Sequence, residues 1–150
     1  MPWDTTPTAG FSNATPWLPL NPDHVLRNVA SERRDPGSML ALYGQLIALR
    51  RTRPVLQTGR YSNASAEADV FVFERRLAAE RLLIMLNFSP DSRAVRLSPQ
   101  WRVVLSTGLD RVGGVPEGAL TLRGWEGVIL EGAEAALPTS SSETAITDRT

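Results

Sequence analysis

The sequence predicts a mainly β chain with one principal α-helix, its strands folded as an antiparallel, Greek-key-like sandwich. Three observations predict this. Residues 36–52 carry apolar side chains at three-and-four spacing, whereas beyond Gly59 the apolar residues fall in short runs separated by polar, Gly or Pro clusters. No helical pattern lies between those runs, so the strands are expected to pair antiparallel.

The first element is a loop. From Met1 to about Arg34 the chain carries Pro2, Pro7, Pro16, Pro19 and Pro22 with Gly10 and several Ser, Thr and Asn residues. That composition blocks long helices and central strands. So long a stretch without regular structure is uncommon inside a compact domain, so its expected setting is the rim of a larger body, and alone it is expected to be poorly ordered. Asp35 and Pro36 then give a helix start, the aspartate as N-cap and the proline at the first helical position. Met39, Leu42, Tyr43, Leu46, Ile47 and Leu49 form its apolar stripe. Arg50, Arg51 and Arg53 favour the C-terminal dipole, and Pro54 is expected to stop the helix.

Strands are expected at Gly59–Ser62, Val70–Arg75, Arg81–Phe88, Ala94–Leu97, Arg102–Leu105, Ala119–Leu122 and Trp125–Leu130. Asn63-Ala-Ser-Ala-Glu67, Leu77-Ala-Ala-Glu80, Ser89-Pro-Asp-Ser92 and Gly113-Gly-Val-Pro116 read as their connections. From Glu131 onward the composition turns to Ala, Ser, Thr and Glu, which predicts a disordered tail. The domain reading is therefore 1–53, then a β domain over 54–131, then the tail over 132–150.

Composition excludes several function classes. Sixteen basic and sixteen acidic side chains balance and are spread along the 150 residues, which argues against nucleic acid or an anionic membrane as partner. Cysteine is absent, removing disulfides, thiolate metal sites and cysteine nucleophiles. No apolar run reaches the roughly 18 residues of a membrane span, and no signal-peptide layout is present, so the expected location is cytoplasmic. Every basic residue except His24 is arginine, which reads as GC-rich coding and suggests a bacterial source. No cofactor or metal site is expected, since no D-x-[DN]-x-[DN]-G loop occurs and His24 stands alone. Three Asn-x-Ser/Thr matches, at Asn13, Asn63 and Asn87, read as chance.

Several motifs occur in a shared order: Pro2-Trp3-Asp4, Ala9-Gly-Phe11, Pro16-Trp-Leu-Pro19, Asp35-Pro-Gly-Ser-Met-Leu-Ala-Leu-Tyr43, Leu46-Ile-Ala-Leu-Arg50, Pro54-Val-Leu56, Gly59-Arg-Tyr61 and Leu86-Asn-Phe-Ser89. Val104-Leu-Ser-Thr-Gly108 and Trp125-Glu-Gly-Val-Ile-Leu130 continue the series. From Met1 to about Glu131 the chain resembles the C-terminal part of an α-glucosidase or oligo-1,6-glucosidase of the α-amylase superfamily. The resemblance implies a remnant of a (β/α)8 barrel, its eighth loop and helix, followed by the C-terminal β domain, with Pro54–Leu56 opening that domain's first strands.

Retaining glycosidases need a nucleophilic and an acid/base carboxylate about 5 to 5.5 Å apart. The resemblance implies that these lie on earlier barrel strands, ahead of Met1, so no catalytic residue is assigned and the chain alone is expected to be inactive. Asp35 reads as a cap, Asp91 as a turn residue, and Glu74, Glu80, Glu126 and Glu131 as solvated strand or turn residues. Trp3 and Asp4 are the candidate substrate-binding residues. In the family their loop borders the leaving sugar, and an indole face with a carboxylate suits a sugar ring. The packing alternative is that Trp3 and Trp17 plug the loop against a barrel.

Three functions compete. The first is a structural, non-catalytic fragment of an enzyme that acts on an α-glucoside oligosaccharide, with an exposed helix face. The second is an independent carbohydrate-binding module using rings among Tyr61, Phe71, Phe73, Phe88, Trp101 and Trp125, most of which read as core. The third is a complementing partner of a separately encoded barrel.

Overall fold

The computed structural model describes residues 1–97, 101–114 and 118–132. The predicted tail beyond Gly132 lies outside them. A 3₁₀ turn at Pro22–Val25 is followed by α1 (Val29–Glu32), α2 (Met39–Thr52) and α3 (Pro54–Thr58). Then come β1 (Arg60–Glu67), β2 (Val70–Leu77), β3 (Glu80–Asn87), β4 (Arg93–Arg96), β5 (Trp101–Ser106), β6 (Gly113–Gly114), β7 (Ala119–Leu122) and β8 (Gly127–Gly132). The described elements are mainly β, with α2 the one long helix.

Six strands form one antiparallel sheet in the order β1-β2-β3-β8-β5-β6, and β4 pairs with β7 in a second. Inward side chains from both sheets meet in one core. Val70, Leu83, Met85, Trp101, Val103, Val128 and Leu130 of the larger sheet pack with Leu120 and Leu122 of β7. This is the sandwich that the short apolar runs implied. The other face of the larger sheet is covered in part by α3, whose Val55 packs with Leu82 and Ile84.

Several local expectations are corrected. The helix begins at Met39, because the Ser38 hydroxyl accepts from Ala41 N–H at 3.2 Å. The Asp35 carboxylate instead closes a turn by accepting from Gly37 N–H at 2.8 Å. Pro54 ends α2 but also starts α3, since a first helical position needs no N–H; residues 54–56 are therefore helix, not strand. Asn63–Glu67 is strand, with an irregular register between Ser62 and Ser65, and the turn falls at Ala68-Asp69, both at positive φ. Such a primed two-residue turn matches strand twist and so can form without glycine. The loop over residues 1–34 is tied down. Trp3 N–H donates to Ala9 carbonyl, and Val29 and Ala30 N–H donate to Pro2 and Trp3 carbonyls.

The carboxylates read as solvated are the largest departure. Glu74 is 5 % exposed and Glu126 4 %, each stabilised by arginine, as a buried charge requires. Glu74 accepts from Arg76 at 2.7 Å and from Arg81. Glu126 takes Arg123 at 2.8 Å and Arg111 at 3.4 Å. Glu131 is bonded by Arg102 and, at 2.6 Å, by Arg53, which also holds Glu80 at 2.9 Å. Arg53 thus clamps the end of α2 to both central strands rather than serving the helix dipole.

These pairs predict acid sensitivity. Burial raises the Glu74 and Glu131 carboxyls, but bonds from Arg81 and Arg76, and from Arg102 and Arg53, outweigh it and hold both below the usual range. Arg123 holds Asp110 down to about 2. All three folded values lie below the unfolded ones, so the unfolded chain binds more protons in between. Their stabilisation is complete above about pH 5 and is lost as pH falls through the folded values. Urea midpoints are expected to hold between pH 6 and 7, then drop steadily toward pH 3. A flat midpoint across that range would contradict the pairing.

Candidate functional site

The loop carrying Trp3 and Asp4 is closed by its own polar groups. The Asp4 carboxylate accepts from Thr6 N–H at 2.9 Å and from the Thr6 hydroxyl at 2.5 Å. The hydroxyl bond holds its carboxyl below the ordinary value, with the Thr6 backbone bond adding to it. Thr6 Oγ1 in turn accepts from Gly10 N–H at 3.1 Å. Ala9 is fully buried and sits at φ 50°, and Gly10 follows at φ 72° with Trp3 Cβ only 2.9 Å from where a side chain would begin. Gly10 is thus required both for its backbone and for the close approach of Trp3.

Asp4, Thr6, Thr8, Ser12 and Asn13 line a hollow of about 340 Å³ beside this turn. Hydroxyl, amide and carboxylate groups at such a site can hydrogen-bond a polyol. Phe11 separates the hollow from a second, apolar groove of about 600 Å³ whose lining includes Pro2, Trp17, Leu18 and Leu20. Trp3 is 46 % exposed and Trp17 91 %, so within this chain Trp17 plugs nothing. Asp4 is the one carboxylate among the residues lining the hollow. His24 lies in the 3₁₀ turn, its Nδ1 bonded to Asn21 carbonyl at 2.9 Å. Among the described residues no cluster of His, Asp or Glu is arranged to hold a metal ion, and no helix is long and apolar enough to cross a membrane.

The rings proposed for a sugar platform divide sharply. Trp101 is 4 % exposed, beneath the Arg81 guanidinium at 4.5 Å from its ring centroid. It is a core residue, and replacing it would report on folding, not on ligand. Phe71 and Phe73 are half-buried and pack ring to ring at 5.5 Å. Tyr61, Phe88 and Trp125 are exposed, although most of the six rings read as core from the sequence.

The motif around Asn87 has a structural purpose. Its side-chain amide donates to Asp91 and Arg123 carbonyls, both at 2.8 Å, and its Oδ1 accepts from Ser89 N–H and hydroxyl. Asn87 is 3 % exposed, so it is a buried junction of loops and no acceptor for a glycan.

Residues 1–59 match the family model described as "Alpha amylase, catalytic domain". The chain is 31 % identical over 125 residues to a probable α-glucosidase of Rhizobium meliloti (strain 1021), covering 83 % of this chain and 22 % of that protein. It is 35 % identical over 99 residues to an oligo-1,6-glucosidase of Parageobacillus thermoglucosidasius, covering 65 % and 17 %. A mouse protein named amino acid transporter heavy chain SLC3A1 is 33 % identical over 142 residues, covering 87 % and 21 %. The isomaltulose synthase PalI of Klebsiella sp. LX3 superposes with a TM-score of 0.78 at 28 % identity, over 87 % of this chain and 24 % of that one. The chain therefore spans about a sixth to a quarter of the length of these relatives. Shared sequence through the loop and α2, together with a shared backbone through the β sandwich, places the chain in the α-amylase superfamily, among its α-glucosidase-like proteins.

Proposed function

We propose that the chain is the C-terminal structural portion of an α-glucosidase-type glycoside hydrolase and has no hydrolytic activity of its own. In this reading residues 1–53 lie against a (β/α)8 barrel, and the enzyme so completed cleaves an α-glucoside oligosaccharide. Residues 54–131 form a β domain beside the barrel, and the Asp4 hollow with Trp3 borders the leaving sugar. The relatives named as glucosidases motivate the reaction class. The transporter heavy chain carries a similar stretch under a different name, which favours a scaffolding role for this part over a chemical one. A bacterial cytoplasm is the location proposed, from the arginine bias and the bacterial relatives.

One observation supports the reading above the others. Among the described residues, eleven of the fifteen exposed large hydrophobic side chains lie within residues 1–53, against two of the fifteen buried ones, Val29 and Leu42. On α2, Met39, Tyr43 and Ile47 follow each other at four-residue spacing and are 60 %, 59 % and 49 % exposed. Full burial of each such side chain is worth roughly 1.5–3 kcal/mol. The uncovered face therefore forgoes several kcal/mol, comparable to a small domain's stability of about 5 kcal/mol. A barrel would supply the missing cover.

The purified chain is expected to leave p-nitrophenyl α-glucoside intact and to bind an apolar dye. Replacing Met39, Tyr43 and Ile47 together by Glu should abolish the dye signal at an unchanged thermal midpoint. Hydrolysis by the chain alone, lost on substitution of one of its own carboxylates, would overturn the proposal, as would a monodisperse monomer that binds no dye.

A further inference from the structure

We infer that the sheet end formed by the β3–β4 connection and the turn before β8 carries an accessory site for a neutral oligosaccharide, with Trp125 as its stacking platform and Phe88 beside it. This surface is remote in sequence from the loop at Asp4, and the β domain does not need it for its core.

The turn at Arg123–Glu126 presents an indole in an unusual way. Trp125 sits at φ 59°, a backbone conformation rare for a bulky side chain, with its ring 66 % exposed. Everything around it is fixed. Trp125 N–H donates to Ser89 carbonyl at 2.9 Å, and Asn87 N–H to Glu126 carbonyl at 2.9 Å. The buried Glu126 carboxylate binds the Arg123 N–H at 2.7 Å and its guanidinium at 2.8 Å. Asp110 grips the same guanidinium with both oxygens, at 2.6 and 2.7 Å. Gly124 lies so close to Pro90 that a β-carbon would stand 2.0 Å from its carbonyl oxygen. A strained residue held by so many contacts, yet contributing its side chain to no core, is typical of a site where something outside the chain uses that side chain.

The size of the patch selects the ligand. A buried aromatic side chain covers about 150–250 Å², so the Trp125 side chain, at 66 % exposure, offers roughly 150 Å². A stable protein interface takes about 800 Å² from each partner. The indole face is too small for that and large enough for one sugar ring. Its polar surroundings fit too: Asp69 accepts the Phe88 N–H on its carbonyl, and its carboxylate, with that of Asp91, stands around Arg93 at 3.0 and 3.7 Å. Carboxylates paired with an arginine in this way present both acceptors and donors to sugar hydroxyls, with their charges largely balanced, which suits a neutral ligand. That the sugar is an α-glucoside rests on the function proposed above; that it is a neutral saccharide rests on the patch.

Titration of the full chain with maltotriose and isomaltotriose, followed by calorimetry, tests the site. Millimolar binding is expected, weakened at least about tenfold by Trp125→Gly and several-fold by Phe88→Ala. Glycine is at ease at positive φ, so Trp125→Gly should keep the circular dichroism and thermal midpoint of the parent. Trp17→Ala should bind as the parent does. No binding up to about 50 mM, binding unchanged in Trp125→Gly, or binding lost in Trp17→Ala would each overturn the inference. None of these outcomes depends on whether the chain hydrolyses anything, so this site and the proposed function fail separately.

Discussion

Leu130→Ala is expected to lower the unfolding free energy by about 2–5 kcal/mol, enough to leave the β domain partly unfolded at room temperature. Leu130 is fully buried on β8, the strand between β3 and β5, where it stands opposite Leu83 on one side and Val103 on the other. Both neighbours are fixed by the ladder, so the sheet has little freedom to close over a deleted isobutyl group, and the residual cavity adds to the lost transfer energy. Ile47→Ala on α2 supplies the contrast. Its side chain is about half exposed and faces no core in this chain, so a change within about 0.5 kcal/mol is expected. Urea midpoints measure both. Equal midpoints would mean that stability does not reside in the sandwich core, and the proposed division between residues 1–53 and 54–131 would lose its physical basis.

Much of this sandwich was legible because its strands leave short apolar runs bounded by turn residues. Val70, Leu83, Met85, Val128 and Leu130 lie in such runs and are buried in the core. β1 left no such trace. Its second half, Asn63-Ala-Ser-Ala-Glu67, lies at the sheet edge and is exposed, so its residues carry the polar composition of a loop while their backbone pairs with β2. The turn after it reads as nothing in particular, because Ala68 and Asp69 reach positive φ without the glycine that usually marks it. Ser38 and Asp35 both precede a helix and both can cap; only the three-dimensional path of the chain decides that Asp35 serves Gly37.

The buried carboxylates were partly within reach. Once Leu77 to Glu80 is read as a two-residue hairpin, register places Arg76 opposite Arg81 and Glu74 two residues further along. The Glu74–Arg76–Arg81 cluster could then have been written down, and with it the reason a glutamate tolerates burial. Glu126 gave a weaker signal: Arg123 stands only three residues before it, but Arg111 reaches it, and Asp110 reaches Arg123, only through the fold. Likewise nothing local distinguishes Trp101 from Trp125. One enters the core under Arg81 and the other leaves it on a strained turn, and that difference is tertiary.

Asn87→Ala is expected to cost about 2–4 kcal/mol, through polar groups left without partners rather than through lost volume. The side chain joins three segments: the turn at Ser89, the carbonyl of Asp91 and the carbonyl of Arg123. Alanine satisfies none of them, and Ser89, only 6 % exposed, has little access to water in exchange. Asn87→Asp separates this account from simple packing. Its carboxylate still accepts from Ser89 N–H, but it faces two carbonyl oxygens with negative charge, so its folded pKa is raised above the unfolded value of about 3.9. The penalty relative to wild type should therefore be smallest below the unfolded pKa, grow as pH rises through the folded one, and level off above it. A packing defect would give a difference independent of pH. Because the Arg123 carbonyl anchors the turn that carries Trp125, the same variants should also weaken maltotriose binding while the domain is still folded, and Ile47→Ala on α2 should not.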